Sequence, residues 1–240
     1  KSSSNKPFFD TNGNLKKRVL FVITQSDMGG AQRFMLNLLS HLDKERFEPL
    51  VAIGKDGDGY LFRALHEIGI PTHRLIHVVR DVNIRQDLKA VSELRKLILD
   101  FWPDTLFLNS SKAGFVGAFA ARFPYSINNA KVIYRIGGWS FNDPVSRWKR
   151  AFWMLLEWLS ARWKDVVIVN NQHDFDQALK YRIKPRKKLI LIYNGIETYK
   201  LDLMDQEEAR KKLGVPGDKY VVGTIANLYP AKGIGYLIRT

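Results

Sequence analysis

Seven short apolar runs, separated by longer segments with helical spacing, constrain the fold of this chain more than any other feature. The runs lie at Val19–Thr24, Glu48–Ile53, His73–Ile76, Thr105–Asn109, Lys131–Ile136, Val166–Asn170 and Leu189–Tyr193. Helices are predicted between them at Ala31–Leu42, Tyr60–Ile68, Arg85–Phe101, Ala113–Phe123, Arg147–Trp163 and His173–Tyr181. Strands that alternate with helices need crossover connections. The sequence therefore predicts an α/β fold, a Rossmann-like parallel sheet with helices on both faces.

The same pattern predicts how the chain is divided into domains. Residues 1–14 are polar and rich in Ser and Asn, which is typical of a flexible tail. Residues 15–196 are predicted to form a complete Rossmann-like domain, and residues 197–219 a linker. A strand predicted at Tyr220–Ile225, followed by a turn that enters a helix, indicates the beginning of a second, truncated domain over residues 220–240.

Composition limits the classes of site that this chain can carry. The 240 residues include no cysteine, which excludes disulfide scaffolds and cysteine-based metal sites. Lys and Arg number 38 against 24 Asp and Glu, a formal net charge of +14. Such an excess favours a polyanion, an anionic membrane surface or a phosphorylated ligand, and a solvated surface accounts for part of it. No clustered set of His or carboxylate residues indicates a metal, and no apolar run is long enough for a membrane span.

Two adjacent glycines, Gly29 and Gly30, stand between the first predicted strand and the first predicted helix. Ligands of open parallel sheets bind at the carboxyl ends of the strands, and a helix N-terminus offers N–H groups that suit a phosphate. A tight turn without a ligand is the alternative. The dinucleotide fingerprint G-x-G-x-x-G and the Walker A motif are both absent, which argues against NAD and P-loop sites.

Two further turns of this kind follow the fourth and fifth predicted strands. In the first, Ser110 and Ser111 can cap a helix that begins at Ala113-Gly114, but capping does not explain Lys112, because a cation at a helix N-terminus is unfavourable without an anion nearby. In the second, Gly137-Gly138 precedes Trp139 and Phe141, which could form a stacking wall or a packed pair beneath a loop. Three such turns at one sheet edge favour a ligand site.

With these motifs the chain resembles the GT-B glycosyltransferases of the large retaining family 4, which includes the glycosyl transferases group 1. The resemblance covers about Arg18 to Thr240. It rests on the order and spacing of the motifs "DMGGAQ", "NSSKAG", "GGWSF", "YNGI" and "TIANLYPAKGIGYLI".

The resemblance implies two Rossmann-like domains that face a cleft, the first holding the acceptor and the second a nucleotide-sugar donor linked to UDP or GDP. It implies that Lys232 is catalytic, because its charge would neutralise the diphosphate leaving group without a metal or another cofactor. It also implies a set of donor- and acceptor-binding residues: Gly29, Gly30, Gln32, Ser111, Lys112, Gly114, Gly138, Trp139, Asn194, Gly195, Asn227 and Gly233. The acceptor is expected to be a glycan or a lipid-linked molecule, and the sugar is expected to be transferred with retention of its configuration.

Three departures from the family pattern bear on activity. Gly137 stands where the family often has His, and Asn227 stands where it often has Arg. The paired glutamates that contact the sugar and ribose in the family are not found among the 240 residues. We therefore expect these 240 residues to be inactive by themselves.

The segment Arg147–Lys164 is rich in both tryptophan and basic residues. Helical spacing predicts a core-facing stripe formed by Trp148, Phe152, Leu155, Leu156, Leu159 and Trp163. Trp153 falls instead among Lys149, Arg150, Glu157 and Lys164, where it would either pack on a neighbouring loop or contact an anionic membrane surface. We accordingly expect a cytoplasmic protein that contacts the inner face of the membrane peripherally.

Other functional classes stay open at this point. A non-catalytic, glycosyltransferase-like module that binds a phosphorylated or lipid-linked ligand would explain Gly137 and Asn227. A sugar-nucleotide epimerase of the same architecture is a second alternative, because a fold does not fix a function. Nucleic acid is not an expected partner, because the chain contains no recognised nucleic-acid motif.

Overall fold

Seven strands of the computed structural model form one parallel sheet. They are β1 (Lys17–Gln25), β2 (Phe47–Asp56), β3 (Thr72–Leu75), β4 (Thr105–Leu108), β5 (Lys131–Arg135), β6 (Val166–Val169) and β7 (Lys188–Leu191). Their order across the sheet is β3-β2-β1-β4-β5-β6-β7, and every pair of neighbours is parallel. The structure describes residues 9, 11–123, 129–198, 201–226, 228 and 232–239.

Among the residues described, six α-helices connect the strands and cover both faces of the sheet. They are α1 (Gly30–Ser40), α2 (Tyr60–Glu67), α3 (Ile84–Phe101), α4 (Ser111–Arg122), α5 (Arg147–Ala161) and α6 (Gln172–Lys180). Helices α1 and α2 pack in one apolar cluster, with Met35, Leu39, Leu61 and Leu65 buried. Helices α3 and α4 pack in a second cluster, which includes Leu94, Ile98, Val116 and Ala120. The predicted Rossmann-like fold with helices on both faces is therefore confirmed.

Each predicted strand and helix between Val19 and Tyr193 matches an observed element to within three residues at either end. The match has a physical reason. Both faces of a parallel sheet are buried, so its strands appear in the sequence as short continuous apolar runs. In β1, Leu20, Phe21 and Val22 are each at most 2% exposed.

The chain divides into the units Lys1–Tyr193 and Asn194–Thr240. The second unit contains α7 (Gln206–Leu213) and the short α8 (Ile234–Leu237). The strand predicted at Tyr220–Ile225 is wrong, because these residues pair with no strand in the described chain. A strand requires a neighbour that accepts and donates its backbone hydrogen bonds, and none of the described residues of this unit provides one.

Helix α7 lies within the segment that was predicted to be a linker. Asp205 caps it by accepting a hydrogen bond from the Glu208 N–H at 2.9 Å, and Gly214 ends it in the left-handed conformation. Acidic residues in the first turn of α7 and basic residues in its last turn interact favourably with the helix dipole. All of these signals are local, so the sequence contained enough information to predict α7.

Helix α5 turns most of the predicted core stripe to solvent, although Leu156 is half-buried and Trp163, which follows the helix, packs against the core cluster. Within the predicted core stripe, Trp148 is 88%, Phe152 47%, Leu155 57% and Leu159 40% exposed. Trp153 is half-buried and packs against the core cluster instead. The residues of α5 that are fully buried are Glu157, Ser160 and Ala161. Helical spacing did not identify the buried face, because that face combines Trp153 and Met154 with the polar residues Glu157 and Ser160, which hydrophobic periodicity assigns to solvent.

One glycine of α4 is required by close packing. A Cβ atom on Gly114 would lie 2.4 Å from Cε2 of Tyr134, whose ring is fully buried beneath the helix. Gly114 was predicted to bind ligand, but its position explains the glycine without one.

We expect Gly114→Ala to lower the free energy of unfolding by about 1–3 kcal/mol, because the buried Tyr134 ring has no room to move away. Gly30→Ala is the matched control, since its Cβ would meet no heavy atom within 4 Å. That control should be neutral or stabilising by up to about 1 kcal/mol. Urea denaturation measures both variants, and equal midpoints for the two would contradict the packing role of Gly114.

Candidate functional site

The three turns singled out in the sequence meet at one edge of the sheet. Strand order reverses between β1 and β4, and a crevice at the carboxyl ends of the strands forms at such a reversal. Thr24 Oγ1 at the end of β1 and Ser110 Oγ after β4 lie 2.6 Å apart, in hydrogen-bond contact. Ser140 Oγ, after β5, donates to Ser111 Oγ at 2.7 Å. These two hydrogen bonds connect the loops of three strands into one surface.

The first turn is closed by Gln32. Its Oε1 accepts a hydrogen bond from the Gly29 N–H at 3.2 Å, and its Nε2 donates to the Gln25 carbonyl at 3.1 Å. The Gln32 side chain is buried and fixes the path of the chain into α1. Gly30 keeps open space beside it, so an approaching ligand would meet backbone at this position.

The second turn contains an ion pair that explains why a cation, Lys112, lies at the N-terminus of α4. Ser110 caps α4 by accepting from the Ala113 N–H at 3.1 Å, as predicted. Lys112 Nζ lies 2.5 Å from Asp87 Oδ1 of α3 and donates to the Asp81 carbonyl at 2.8 Å. The anion that accompanies this lysine in the structure is therefore a carboxylate of the same chain.

The aromatic side chains of the third turn pack in the interior and do not form an exposed wall. Trp139 is 1% exposed, stacks on Phe141 with 5.6 Å between ring centroids, and donates its indole N–H to the Asp174 carbonyl at 2.9 Å. Of the two alternatives for Trp139 and Phe141, a stacking wall or a packed aromatic pair, the structure shows the packed pair. Gly138 has a φ of +149° and open space where a Cβ would stand.

Arg135 is a buried cation of this edge that the sequence analysis missed. Its guanidinium stacks 4.1 Å from the centroid of the Phe34 ring and donates to Asn109 Oδ1 at 3.4 Å. Burial lowers the pKa of Arg135, although the neighbouring Tyr134 opposes this effect. A Cβ on Gly137 would lie 3.2 Å from this guanidinium, so a larger residue there would press on Arg135. The sequence signal that could have identified Arg135 is a basic residue at the end of an apolar strand.

A cavity of about 530 Å³ opens from the same edge and runs between α3, α4 and α5. Ser111 and Lys112 are the predicted site residues that line it. Its polar lining includes Thr24, Gln25, Arg80, Ser110, Ser140 and Asp143, and its apolar lining includes Val91, Phe115, Val116, Phe119, Trp153 and Leu156. The helix faces that form it come from distant parts of the sequence, so periodicity alone could not reveal it.

The floor of this cavity holds a buried ionic cluster. Glu157 accepts hydrogen bonds from the Tyr134 hydroxyl at 3.0 Å and from Lys164 Nζ at 3.2 Å, and Lys164 also donates to Ser160 Oγ at 2.9 Å. Burial lowers the pKa of Lys164, and the Glu157 carboxylate partly offsets this effect. Burial and the same carboxylate raise the pKa of Tyr134 well above its ordinary value.

The remaining predicted residues belong to the second unit. Asn194, Gly195 and Lys232 are exposed, and Gly233 has a φ of +65° where α8 begins. Asn227 lies outside the described residues. Within the described ranges, no group of three or more His, Asp or Glu residues could hold a metal ion. No helix of the described chain is long and apolar enough to cross a membrane.

We expect Glu157→Gln to cost about 3–5 kcal/mol at neutral pH, because it leaves the Lys164 charge buried without its counter-ion. The unfolded chain holds the Lys164 proton up to about pH 10, whereas the folded chain releases it earlier, so stability rises with pH in that window. Losing Glu157 lowers the folded pKa further, and the loss relative to wild type should therefore shrink between pH 7 and about pH 10.

Chemical denaturation at neutral and alkaline pH measures this effect. The double variant Glu157→Gln/Lys164→Met, which removes both charges, should recover most of the loss. A single variant that costs less than about 1 kcal/mol at every pH would show that the pair is unimportant.

Comparison with known proteins is consistent with this geometry. The sequence model of Glycosyltransferase Family 4 matches residues 28–200. The UDP-Gal:alpha-D-GlcNAc-diphosphoundecaprenol alpha-1,3-galactosyltransferase of Escherichia coli is 23% identical over 209 residues, which are 85% of this chain and 52% of that protein. The O-antigen biosynthesis glycosyltransferase WbnH of Escherichia coli is 27% identical over 184 residues, 75% of this chain and 49% of that protein.

A solved structure shares the fold. The crystal structure of Anabaena Alr3699/HepE, in complex with UDP and glucose, matches with a TM-score of 0.69 and 22% sequence identity over 92% of this chain and 56% of that one. The chain thus spans about half the length of the relatives that it matches. Because the family model covers well over half of the 240 residues, this chain belongs to Glycosyltransferase Family 4.

Proposed function

We propose that the protein transfers a sugar from a nucleotide-diphosphate donor to an acceptor, with retention of configuration and without a metal. The observation that carries this proposal is the junction of three strand-to-helix loops at the β1/β4 reversal, in a chain of this family. Open sheets bind their ligands at that position. The names of two matched glycosyltransferases support sugar transfer as the reaction class.

The donor is proposed to be a UDP- or GDP-linked sugar. UDP appears in the name of the Escherichia coli galactosyltransferase and is bound in the HepE structure. In this proposal the open backbone at Gly30 faces the donor and acceptor, and Asn194, Gly195 and Gly233 contribute to the donor side. Lys232 carries the charge that stabilises the departing diphosphate, because negative charge develops there as the glycosidic bond breaks.

Lys232→Met tests this role in the full-length protein. We expect kcat for transfer from the UDP- or GDP-sugar to fall by about a hundredfold or more, because one stabilising group at the leaving anion is lost. Lys219→Met is the matched control, since it removes another exposed lysine of the same unit and should leave kcat unchanged. Equal kcat values for the two variants would overturn the assignment of Lys232.

A non-catalytic binding module remains the alternative, and Gly137 is the observation that favours it. The space next to Gly137 is occupied by the Arg135 guanidinium, which leaves little room for the larger side chain that the family often has there. A full-length protein that neither transfers nor hydrolyses a UDP- or GDP-sugar would support the binding module.

The acceptor is proposed to be a glycan or a lipid-linked molecule at the inner, cytoplasmic face of a membrane. The name of the Escherichia coli galactosyltransferase contains a diphosphoundecaprenol acceptor, and α5 offers a suitable surface. Trp148, Leu155 and Leu159 are exposed on α5, and Arg147, Lys149 and Arg150 are exposed at its beginning. Exposed aromatic and apolar side chains among cations are typical of contact with an anionic bilayer.

Vesicle flotation at low salt tests the membrane contact of α5. We expect Trp148→Ala/Leu155→Ala to reduce binding to phosphatidylglycerol-containing vesicles roughly tenfold, because two exposed apolar anchors are lost. The control Leu99→Ala/Leu179→Ala removes two exposed leucines from α3 and α6 and should bind as wild type does. If the wild-type protein does not bind these vesicles, the α5 proposal fails.

A further inference from the structure

We propose that the cavity between α3, α4 and α5 holds the hydrocarbon chain of a lipid-diphosphate acceptor. The proposal rests on the proposed sugar transfer and goes beyond it by assigning the acceptor's lipid chain to a site in the first unit. What carries it is the apolar interior of a cavity that begins at the sheet edge where transfer would occur.

Three helices each turn one face to the cavity. Helix α3 contributes Ile84, Leu88 and Val91, α4 contributes Phe115, Val116 and Phe119, and α5 contributes Phe152, Trp153 and Leu156. The spacings of three and four residues place each trio on one side of its helix. These nine side chains are apolar, so a sugar or a diphosphate placed among them would lose its hydrogen bonds with water. A hydrocarbon chain would gain from the same burial.

Most of the polar lining lies at the strand ends, in the loops beside them and in the first turns of α3 and α4, and Glu157 and Ser160 of α5 are the exceptions. Thr24 lies at the end of β1, Ser110 and Ser140 follow β4 and β5, and Lys112 lies in the first turn of α4. Phe119 lies seven residues further along α4, about 10 Å at the helical rise. Apart from Glu157 and Ser160, the cavity is therefore polar at the sheet edge and apolar along the helices, which matches an amphiphile whose head group sits at the edge.

The ionic groups of the lining agree with that orientation. The carboxylate of Glu157 is bound by Tyr134 and Lys164, so it presents a neutralised cluster to the apolar part. Lys112 and Arg80 are the cations at the polar part, with Asp87 and Asp143 as the anions. Lys112 is paired with Asp87 across the α3–α4 contact, and a phosphate near Lys112 would compete for that pairing.

The apolar part of the cavity is also open to solvent, because several of the residues that line it are exposed. Ile84 is 77%, Leu88 63% and Phe152 47% exposed although all three line the cavity. Trp148 and Leu155 lie one helical turn before and after Phe152, so the opening continues into the exposed apolar face of α5. Exposed Arg85, Arg147 and Lys149 accompany this rim, and their charge complements a lipid phosphate. A chain could therefore enter from a bilayer without crossing the polar edge.

Farnesyl diphosphate is the test ligand, because it joins a hydrocarbon chain to a diphosphate, and inorganic pyrophosphate is the head group alone. In equilibrium dialysis with the full-length protein, we expect farnesyl diphosphate to bind about tenfold more tightly than pyrophosphate. Leu156→Trp fills the cavity from α5 and should remove that advantage. Leu179→Trp makes the same change at an exposed leucine of α6, outside the lining, and should leave it intact.

A second pair of variants protects the test against misfolding. If Leu156→Trp fails to fold by circular dichroism, Val91→Phe fills the cavity from α3, and Leu99→Phe is its exposed control on the same helix. Equal affinities for farnesyl diphosphate in the wild type and the filled variants would overturn the site. So would equal affinities of the wild type for farnesyl diphosphate and pyrophosphate.

Two further results separate this proposal from its alternatives. Displacement of farnesyl diphosphate by dioctanoyl phosphatidylglycerol at equal concentration would show a general phospholipid site and overturn the assignment to the acceptor. Cavity-dependent chain binding without sugar transfer would overturn the proposed function but leave a lipid-chain site in place. If Leu156→Trp transfers sugar to a farnesyl-diphosphate-linked acceptor as fast as the wild type does, the cavity is not the lipid-chain site. That result would leave the proposed sugar transfer in place.

Discussion

The reversal of strand order between β1 and β4 is the constraint on which the candidate site depends. It brings the ends of two strands that are more than 80 residues apart side by side, with Thr24 Oγ1 and Ser110 Oγ 2.6 Å apart. The continuation of the sheet to β5 then places Ser140 against Ser111. Because parallel strands all end at the same edge, the loops that follow them share one surface. The same reversal places α3 and α4 against each other and so forms the polar beginning of the cavity.

Helix α5 shows how a buried ionic cluster can set the orientation of an amphipathic helix. Lys164 and Glu157 are buried together with Ser160, and Tyr134 of β5 donates to the carboxylate from below. These contacts hold Glu157 and Ser160 on the inward side of the helix beside Trp153 and Met154, and several other aromatic and aliphatic residues face outward. Buried ionic groups require nearly complete pairing, because an uncompensated charge in the interior is costly. The exposed apolar face of α5 is thus coupled to a cluster beneath it, and that face is the surface we propose for membrane contact.

Much of the fold was predictable from the sequence because its signals are local. Both faces of a parallel sheet are buried, so strands such as β1 and β6 appear as short apolar runs, and the helices between them keep their own period. The capping role of Ser110 was predictable for the same reason. The strand predicted at Tyr220–Ile225 failed because a strand exists only with a partner, which no local pattern can guarantee. Helix α7, whose capping signals are plain, was missed because its polar composition resembles a linker.

The sequence by itself determined the α/β class, the alternation of elements and the three glycine- or serine-bearing turns. Tertiary structure decided what those turns do: Gln32 closes the first, Lys112 pairs with Asp87, and Trp139 packs on Phe141. It also decided the orientation of α5 and the existence of the cavity. The physical reason is the distance along the sequence over which each interaction acts. Backbone propensity and hydrophobic period act over a few residues, whereas ion pairs, ring packing and cavities join side chains that are tens of residues apart in the chain and meet only after the sheet has assembled.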